Sequence, residues 1–297
     1  MMFKKHLIGL AFIFIMSNSQ AMNVTYISTD KDIPLSDVLN YQLCDGSSCN
    51  PYFDMAVLHE VDIYNSNGTD GKNPNDAILQ IKPGAQKMLN DQTSIDLLHK
   101  NGIKVLASIV GDHQYAGWSC FTDEDSAATF ANSIVDMVNK YHLDGIDIDD
   151  EYSTCPGNSY SMIMVVNDLK NNPGFHGKIV SKALWNDNNV FTSSYKNIKL
   201  ADLLNYGWEM SYGDVYVDSI LQNYVTYGLG KNQLLAGMDY GIATDVTTEA
   251  QNTKDGGYNG IMYYSLGNHP SSQNLEMLNK AAKVQYDSSV EVKYTGQ

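Results

Sequence analysis

The stretch "YHLDGIDIDDEYS", residues 141–153, alternates isoleucine with acidic side chains. Asp147, Asp149 and Glu151 lie two residues apart, and an isoleucine precedes each of the two aspartates. Residues two apart on a β-strand point to the same face, so one face of this segment is acidic and the other is apolar. An acidic loop in solvent has no use for the isoleucines. The pattern therefore predicts a half-buried strand that carries three carboxylates on one side.

Seven other apolar or β-branched runs alternate with helical patterns along the chain. The eight predicted strands are residues 23–28, 54–61, 104–111, 145–151, 178–184, 204–210, 233–240 and 260–266. Residues 123–141, 159–169 and 273–284 show helical spacing of apolar side chains, and the polar segment 65–87 is expected to form a long excursion after the second strand. This order predicts the α/β class and a single-domain (β/α)₈ TIM barrel. A doubly wound open sheet is the alternative, but no GxGxxG or phosphate loop marks its ligand site.

The acidic face has a natural place in such a barrel. The outer face of a barrel strand packs on helices, while the inner face points into the lumen, and active sites lie at the C-terminal rim. The three carboxylates then lie one above another along the lumen, with Glu151 nearest the rim. Burying like charges this close is costly unless protons are shared or pKa values are raised. A purely structural role for the three carboxylates is therefore hard to defend.

Metal binding is an alternative reading of the acidic run, because DxDxD also begins a calcium loop. That loop needs glycine at its sixth position and glutamate at its twelfth, and counting from Asp147 these positions hold Tyr152 and Asn158. A solvated acidic stretch is a further alternative, and the isoleucines argue against it. We expect no metal and no cofactor.

The first 21 residues are typical of a secretory signal peptide. Two lysines precede an apolar run over residues 7–16, and the small residues of "SQA" end at Ala21. An uncleaved anchor or a buried first helix is the alternative, but the run is shorter than the about 20 apolar residues that cross a bilayer. We therefore expect a leader over residues 1–21, a catalytic domain over residues 22–297, and a secreted or periplasmic protein with no membrane association after cleavage.

Charge and cysteine content narrow the partners and the compartment. The formal net charge is -15 and the chain contains no arginine, which argues against nucleic acid and favours a neutral ligand. We also expect a monomer. Four cysteines suit an oxidising compartment and two disulfides, with three pairings open. Cys120 and Cys155 follow consecutive strands and would meet at the rim, which leaves Cys44 and Cys49 to close a local loop. Free or differently paired thiols remain the alternative, and no CxxC or HExxH pattern supports zinc.

The acidic motif resembles a known family signature. "DGIDIDDE", residues 144–151, matches the DGxDxDxE pattern of family 18 glycoside hydrolases. More closely, the chain resembles endo-β-N-acetylglucosaminidases of the endoglycosidase H type over about residues 24–284. The matching blocks, in the same order, are "GIKVLASIVGDHQYAGW" (102–118), "YHLDGIDIDDEY" (141–152), "YGWEMSYG" (206–213) and "GYNGIMYYSL" (257–266). The resemblance implies a hydrolase of the GlcNAcβ1-4GlcNAc bond in N-linked glycans or glycoproteins.

Strand spacing and the resemblance together suggest a mechanism. Same-face neighbours on a strand are about 6.6 Å apart along it, so Asp149 lies one rung below Glu151 and too deep to attack the sugar carbon. The resemblance implies a substrate-assisted, retaining route in which a 2-acetamido group is the nucleophile. Glu151 is then the acid and later the base, Asp149 accepts the acetamido N–H, and Asp147 shares a proton with Asp149. Tyr212 holds the acetamido carbonyl oxygen.

Sugar binding is expected to use residues near the strand ends. The candidates are Trp118, Trp185, Asn186, Trp208, Tyr264, Gly111 and His113. Flat rings stack on sugar C–H faces, although each of these aromatic residues has a packing role as its alternative. Family 18 chitinases usually end their last strand with a tryptophan, and this chain has Tyr263 and Tyr264 there. A chitinase acting on chitin oligomers is therefore the second reading, and Glu151 disfavours a non-hydrolytic glycan-binding protein.

Overall fold

The computed structural model describes residues 21–185, 187–213, 217–241, 245–266 and 270–296. The predicted leader, apart from Ala21, and the candidate Asn186 lie outside these residues. The strands are β1 (Met22–Ser28), β2 (Tyr41–Asp45), β3 (Ser48–Pro51), β4 (Met55–Asn65), β5 (Ala77–Gln80), β6 (Lys104–Gly111), β7 (Gly145–Asp149), β8 (Ile179–Leu184), β9 (Tyr206–Glu209), β10 (Leu234–Asp239), β11 (Gly260–Leu266) and β12 (Glu291–Tyr294). The helices are α1 (Pro83–Asn90), α2 (Gln92–Lys100), α3 (Glu124–Lys140), α4 (Ser161–Asn171), α5 (Asn188–Thr192), α6 (Val217–Tyr227), α7 (Val246–Gly256) and α8 (Ser272–Gln285).

Eight parallel strands close into a barrel. Their order is β1, β4, β6, β7, β8, β9, β10 and β11, and β11 pairs back onto β1. These are the eight strands that the sequence predicts, and α3, α4 and α8 fall on the three predicted helical patterns. The predicted (β/α)₈ barrel is therefore confirmed. Among the described helices, none is both long and apolar enough to cross a membrane.

Two additions decorate the barrel. The excursion after β4 carries β5, which pairs with β4 in antiparallel fashion before α1 begins. The connection from β1 to β4 carries a 3-10 helix, Leu35–Asn40, and the hairpin β2–β3, to which β12 adds a third antiparallel strand. The sequence patterns did not predict this small sheet.

The alternation of residues in β7 decides what faces the lumen. Ile146 and Ile148 are fully buried in the large apolar cluster between strands and helices, whereas Asp147 is buried in the lumen. A second apolar cluster fills the lower lumen with side chains from several barrel strands, including the fully buried Trp208. β7 ends at Asp149 rather than at the predicted residue 151. Glu151 therefore stands on the segment that follows the strand, at the rim.

Candidate active site

A pocket of about 450 Å³ lies directly above the filled lumen. It opens at the C-terminal ends of barrel strands, where active sites of this fold are found. Its lining residues are His59, Glu60, Asp149, Glu151, Tyr152, Trp185, Met210, Tyr212 and Tyr264. The pocket thus brings together Asp149, Glu151, Tyr212, Trp185 and Tyr264 from the sequence prediction, while His59 and Glu60 are additions.

Asp147 forms the floor of the site. Its Oδ2 accepts a hydrogen bond from the Tyr26 hydroxyl at 2.5 Å, and its Oδ1 accepts one from Ser181 Oγ at 2.8 Å. Trp208 Nε1 in turn donates to the Tyr26 oxygen at 2.8 Å. Burial raises the pKa of Asp147 to about 7 against these stabilising donors. The sharing of a proton between Asp147 and Asp149 stays a prediction.

Asp149 lies one rung higher and is nearly buried. Its Oδ2 is 3.8 Å from His59 Nε2, and the same nitrogen is 3.3 Å from Glu60 Oε2. Burial lowers the pKa of His59, but the neighbouring Asp149 and Glu60 carboxylates outweigh it, and the pKa ends above its ordinary value. In its protonated form, His59 places a positive charge beside Asp149.

Glu151 has the properties of a proton donor. Its side chain is half-buried at the rim, and burial together with the charge of Asp149 raises its pKa above the ordinary glutamate value. A carboxyl that keeps its proton closer to neutral pH is better suited to general acid catalysis. The acid role of Glu151 stays a prediction, with which the raised pKa is consistent.

Two tyrosines line the pocket beside these carboxyls. The Tyr212 and Tyr264 rings pack with their centroids 5.9 Å apart. Burial raises the pKa of Tyr264 to about 12 and that of Tyr212 still further, so both hydroxyls keep their protons. Tyr212 adopts a φ of 52°, a left-handed conformation uncommon for a side chain of this size. Both hydroxyls can donate hydrogen bonds to a ligand.

Gly111 and His113 support the segment that bears Glu151. A Cβ added to Gly111 would lie 2.4 Å from the Glu151 carbonyl oxygen, so only glycine allows this approach. The His113 backbone N–H donates to the Tyr152 carbonyl at 3.0 Å, and the two rings lie 5.1 Å apart. Neither residue lines the pocket. Both were predicted to bind substrate, and the structure gives them a supporting place instead.

The prediction that Trp118 and Trp208 bind sugar is wrong, because both side chains are fully buried. Trp118 donates its Nε1–H to the Ile109 carbonyl at 2.7 Å and packs edge-on against Phe130 of α3. Trp208 lies inside the lumen beneath the pocket, bound to Tyr26. Neither ring can stack on a sugar. Trp185, by contrast, is 53% exposed at the pocket edge.

His59, Glu60 and Lys182 are polar residues near the site that sequence reasoning missed. His59 and Glu60 interrupt the apolar run "AVLHEV" of the second barrel strand, and Lys182 interrupts "IVSKAL" of the fifth. A charged residue inside an otherwise apolar barrel strand is a usable signal, since burying it is costly unless it is paired. Such a residue is expected to face another charge, but the sequence does not say which residue carries that charge.

A disulfide and a backbone hydrogen bond join the loops around Glu151. The structure pairs Cys120 with Cys155, with Cα atoms 5.9 Å apart, and Cys44 with Cys49, as expected from the sequence. The Thr154 backbone N–H also donates to the Gln114 carbonyl at 2.9 Å. The loops after β6 and β7 are thus joined beside Glu151.

Removing the bridge near Glu151 is expected to lower activity more than it lowers stability. We expect Cys120→Ser/Cys155→Ser to lose about tenfold in kcat/KM, since small displacements of catalytic groups are costly. Cys44→Ser/Cys49→Ser is the matched control, because that bridge lies in the β2–β3 hairpin. The measurements are glycan hydrolysis and the melting temperature. Equal activity losses in both double variants would contradict a specific role.

Metal ions have no evident site here. Within the described residues, no group of three or more histidines, cysteines or acidic residues is arranged to hold an ion. We expect activity to be unchanged after dialysis against EDTA. A large loss that Ca²⁺ restores would instead show that residues 147–151 bind a metal.

Comparisons with known proteins place the chain in a family. The model described as "Glycosyl hydrolases family 18" matches residues 23–295. An endo-beta-N-acetylglucosaminidase from Flavobacterium sp. (strain SK1022) is 32% identical over 261 residues, which are 84% of this chain and 76% of the relative. Endo-beta-N-acetylglucosaminidase F1 from Elizabethkingia meningoseptica is 25% identical over 246 residues, covering 78% of this chain and 68% of the relative.

A solved structure shows the same fold. EndoBT-3987 from Bacteroides thetaiotaomicron, with a Man5GlcNAc product, superposes with a TM-score of 0.73 at 19% identity. The match covers 94% of this chain but 63% of that chain, so this protein spans under two thirds of its structural neighbour. Since the family model covers nearly all of the barrel and a relative exceeds 30% identity, the prediction from "DGIDIDDE" is confirmed: this protein is a glycoside hydrolase of family 18.

Proposed function

We propose that the protein is an endo-β-N-acetylglucosaminidase that hydrolyses the GlcNAcβ1-4GlcNAc bond in the core of N-linked glycans. The two relatives that carry the name of this activity support the reaction. A structure of EndoBT-3987 in complex with a Man9GlcNAc2Asn substrate supports the class of ligand. The reaction leaves one GlcNAc on the protein and releases the rest of the glycan.

The proposal rests on an unpaired hydrogen-bond acceptor of Asp149. Its Oδ1 atom is buried and, among the described residues, has no hydrogen-bond donor. Buried carboxylate oxygens in proteins are normally hydrogen-bonded, so a donor from the substrate would complete the site. The N–H of a 2-acetamido group beside the scissile bond is such a donor, whereas a plain hexose offers hydroxyls alone. The unpaired oxygen supports our proposal that N-acetylglucosamine binds next to Glu151.

The proposed mechanism uses this acetamido group as the nucleophile. Glu151 donates its proton to the glycosidic oxygen while the acetamido carbonyl oxygen forms a bond to the anomeric carbon, and the bond to the leaving sugar breaks. Asp149 accepts the acetamido N–H and balances the positive charge of the oxazolinium ring. Tyr212 donates its hydroxyl to the acetamido oxygen. Glu151 then takes a proton from water, which attacks the anomeric carbon and opens the ring with retention.

In a competing two-carboxylate mechanism, Glu60 would be the nucleophile, because it is the other glutamate that lines the pocket. Its carboxylate lies 3.3 Å from His59 and 3.8 Å from Lys82. Both contacts hold the Glu60 carboxylate in ion pairs with neighbouring side chains. We therefore assign the nucleophile to the substrate and give Glu60 the role of partner to His59.

We also propose that the protein acts outside the cytoplasm, as a secreted or periplasmic monomer. The leader-like segment before Ala21 supports export. The two disulfides support an oxidising compartment. The partners are then N-linked glycans or glycoproteins that meet the enzyme there.

Mass spectrometry of a glycoprotein tests the activity. Ribonuclease B, which carries high-mannose glycans, is incubated with the protein beside a chitin oligomer at equal concentration. We expect the glycoprotein to lose its glycan and keep a single GlcNAc. Cleavage of the chitin oligomer alone would establish a chitinase instead, and binding without cleavage of either would indicate a non-hydrolytic protein.

A further inference from the structure

Lys182 is a buried cation that the proposed mechanism does not use. It lies on β8, its side chain is 1% exposed, and its ammonium donates to the Ala183 carbonyl at 2.8 Å. The same ammonium is 3.0 Å from Asp187 Oδ1. Taking an ammonium out of water is expensive, and an apolar side chain of equal size is often as stable at such a position. Stability alone is therefore a weak reason for a lysine here.

Asp187 connects Lys182 to Trp185 at the rim of the active site. Its Oδ2 atom accepts the backbone N–H of Trp185 at 2.7 Å and faces the Tyr224 hydroxyl at 3.4 Å. One oxygen of the carboxylate thus holds Lys182 and the other holds Trp185. The backbone of Trp185 is fixed directly above the end of β8.

Trp185 stands between two cavities. It lines the catalytic pocket and also a neighbouring groove of about 700 Å³. That groove is lined mainly by hydroxyl and amide side chains, among them Asn158, Asn189 and Thr192, and by the ring of Tyr160. A saccharide that occupied both cavities would therefore lie against Trp185.

We propose that Lys182 is a positioning residue, which holds Asp187 so that Asp187 fixes Trp185 as a binding surface at the mouth of the active site. This rests on the proposed function, because the saccharide is taken to be the glycan substrate. The ion pair is shielded from water, so salt screens it much less than it screens a surface ion pair. A neutral side chain at residue 182 would leave Asp187 without its cation and Trp185 without a fixed anchor.

Tryptophan fluorescence tests the positioning without any substrate. The chain has three tryptophans, and Trp118 and Trp208 are fully buried, so quenching by acrylamide reports on Trp185. We expect Lys182→Met to raise the quenching constant by up to about twofold, since the ring is 53% exposed in the fixed position and gains exposure when it moves. Trp185→Phe confirms the origin of the signal.

Glycan binding tests the consequence. In a Glu151→Gln background, which cannot turn over, we expect Lys182→Met to weaken binding of a high-mannose glycopeptide by about 2- to 12-fold, the cost of ordering one large side chain on binding. The matched control is Lys178→Met. Lys178 precedes the same strand, and its ammonium donates to the Leu143 carbonyl at the opposite end of the barrel. This control should leave quenching and binding unchanged even if it lowers the melting temperature.

Asp187→Asn keeps the proposal testable if Lys182→Met does not fold. An amide has one acceptor oxygen, so it cannot serve the Lys182 ammonium and the Trp185 N–H through separate oxygens. The same rise in quenching and loss of binding is expected. Wild-type values of either quantity in the folded variant would overturn the proposal. If the wild-type protein neither cleaves nor binds glycans, the proposed function fails, while the quenching result still decides whether Lys182 fixes Trp185.

Discussion

Replacing Glu151 by glutamine is expected to lower kcat by about 10²–10⁴-fold while glycan binding is retained. The amide keeps the size of the side chain but has no proton to give to the glycosidic oxygen. Glu151 is half-buried in the pocket, and both its burial and the charge of Asp149 raise its pKa. The substitution therefore removes the group best suited to act as the acid. The measurements are the initial rate of glycan release and the dissociation constant from calorimetry.

Glu60→Gln is the matched control for this prediction. It makes the same chemical change on a second glutamate of the same pocket. If the acetamido group is the nucleophile, this variant should lose no more than about tenfold, which is less than a covalent catalyst would cost. A Glu60→Gln variant as inactive as Glu151→Gln would overturn the substrate-assisted mechanism in favour of a two-carboxylate one.

The barrel could be predicted because its signals are local. Each parallel strand is buried on its outer face and lies between a turn and a helix, so the strand appears as a short apolar run. In β7 the isoleucines mark the outer face and the aspartates the lumen, and this alternation also located the centre of the site. Such signals need no knowledge of distant contacts.

The small sheet and the two buried tryptophans could not be predicted in the same way. β12 pairs with β2 across most of the chain, and nothing in either strand specifies a partner at that distance. Trp118 and Trp208 do follow or end barrel strands, but that position does not say whether a ring turns to solvent, to a helix or into the lumen. Their partners Phe130 and Tyr26 decide it, and these contacts exist only in the folded barrel.

The placement of Glu151 outside β7 shows a further limit of strand periodicity. Alternation places residue 151 on the same face as Asp147 and Asp149, but the chain leaves the sheet after Asp149 and Tyr152 adopts a φ of 61°. Gly111 on the neighbouring strand leaves room for that turn. Glu151 is therefore held by loop contacts and a disulfide, which a pattern of residue types does not describe.

Asp149→Asn is expected to lower kcat by about 10²–10³-fold, because the oxazolinium loses the carboxylate that balances its charge. The rate with a preformed oxazoline donor should fall less, since ring closure has already occurred. The variant should therefore transfer such a donor to an acceptor sugar at a rate closer to that of the wild type. Both reactions can be followed by chromatography of labelled glycans.

The same variant should also change the pH profile in a defined direction. The negative charge of Asp149 raises the pKa of Glu151 and contributes to the raised pKa of His59. Neutralising it lowers both pKa values, so Glu151 loses its catalytic proton at a lower pH. The basic limb of kcat/KM must then move to lower pH in Asp149→Asn. Asp112→Asn is the control, because Asp112 contacts Lys82 outside the pocket and should leave the limb in place. A basic limb that stays fixed or moves upward in Asp149→Asn would show that Glu151 does not sense Asp149, and the assignment of the pair would have to be abandoned.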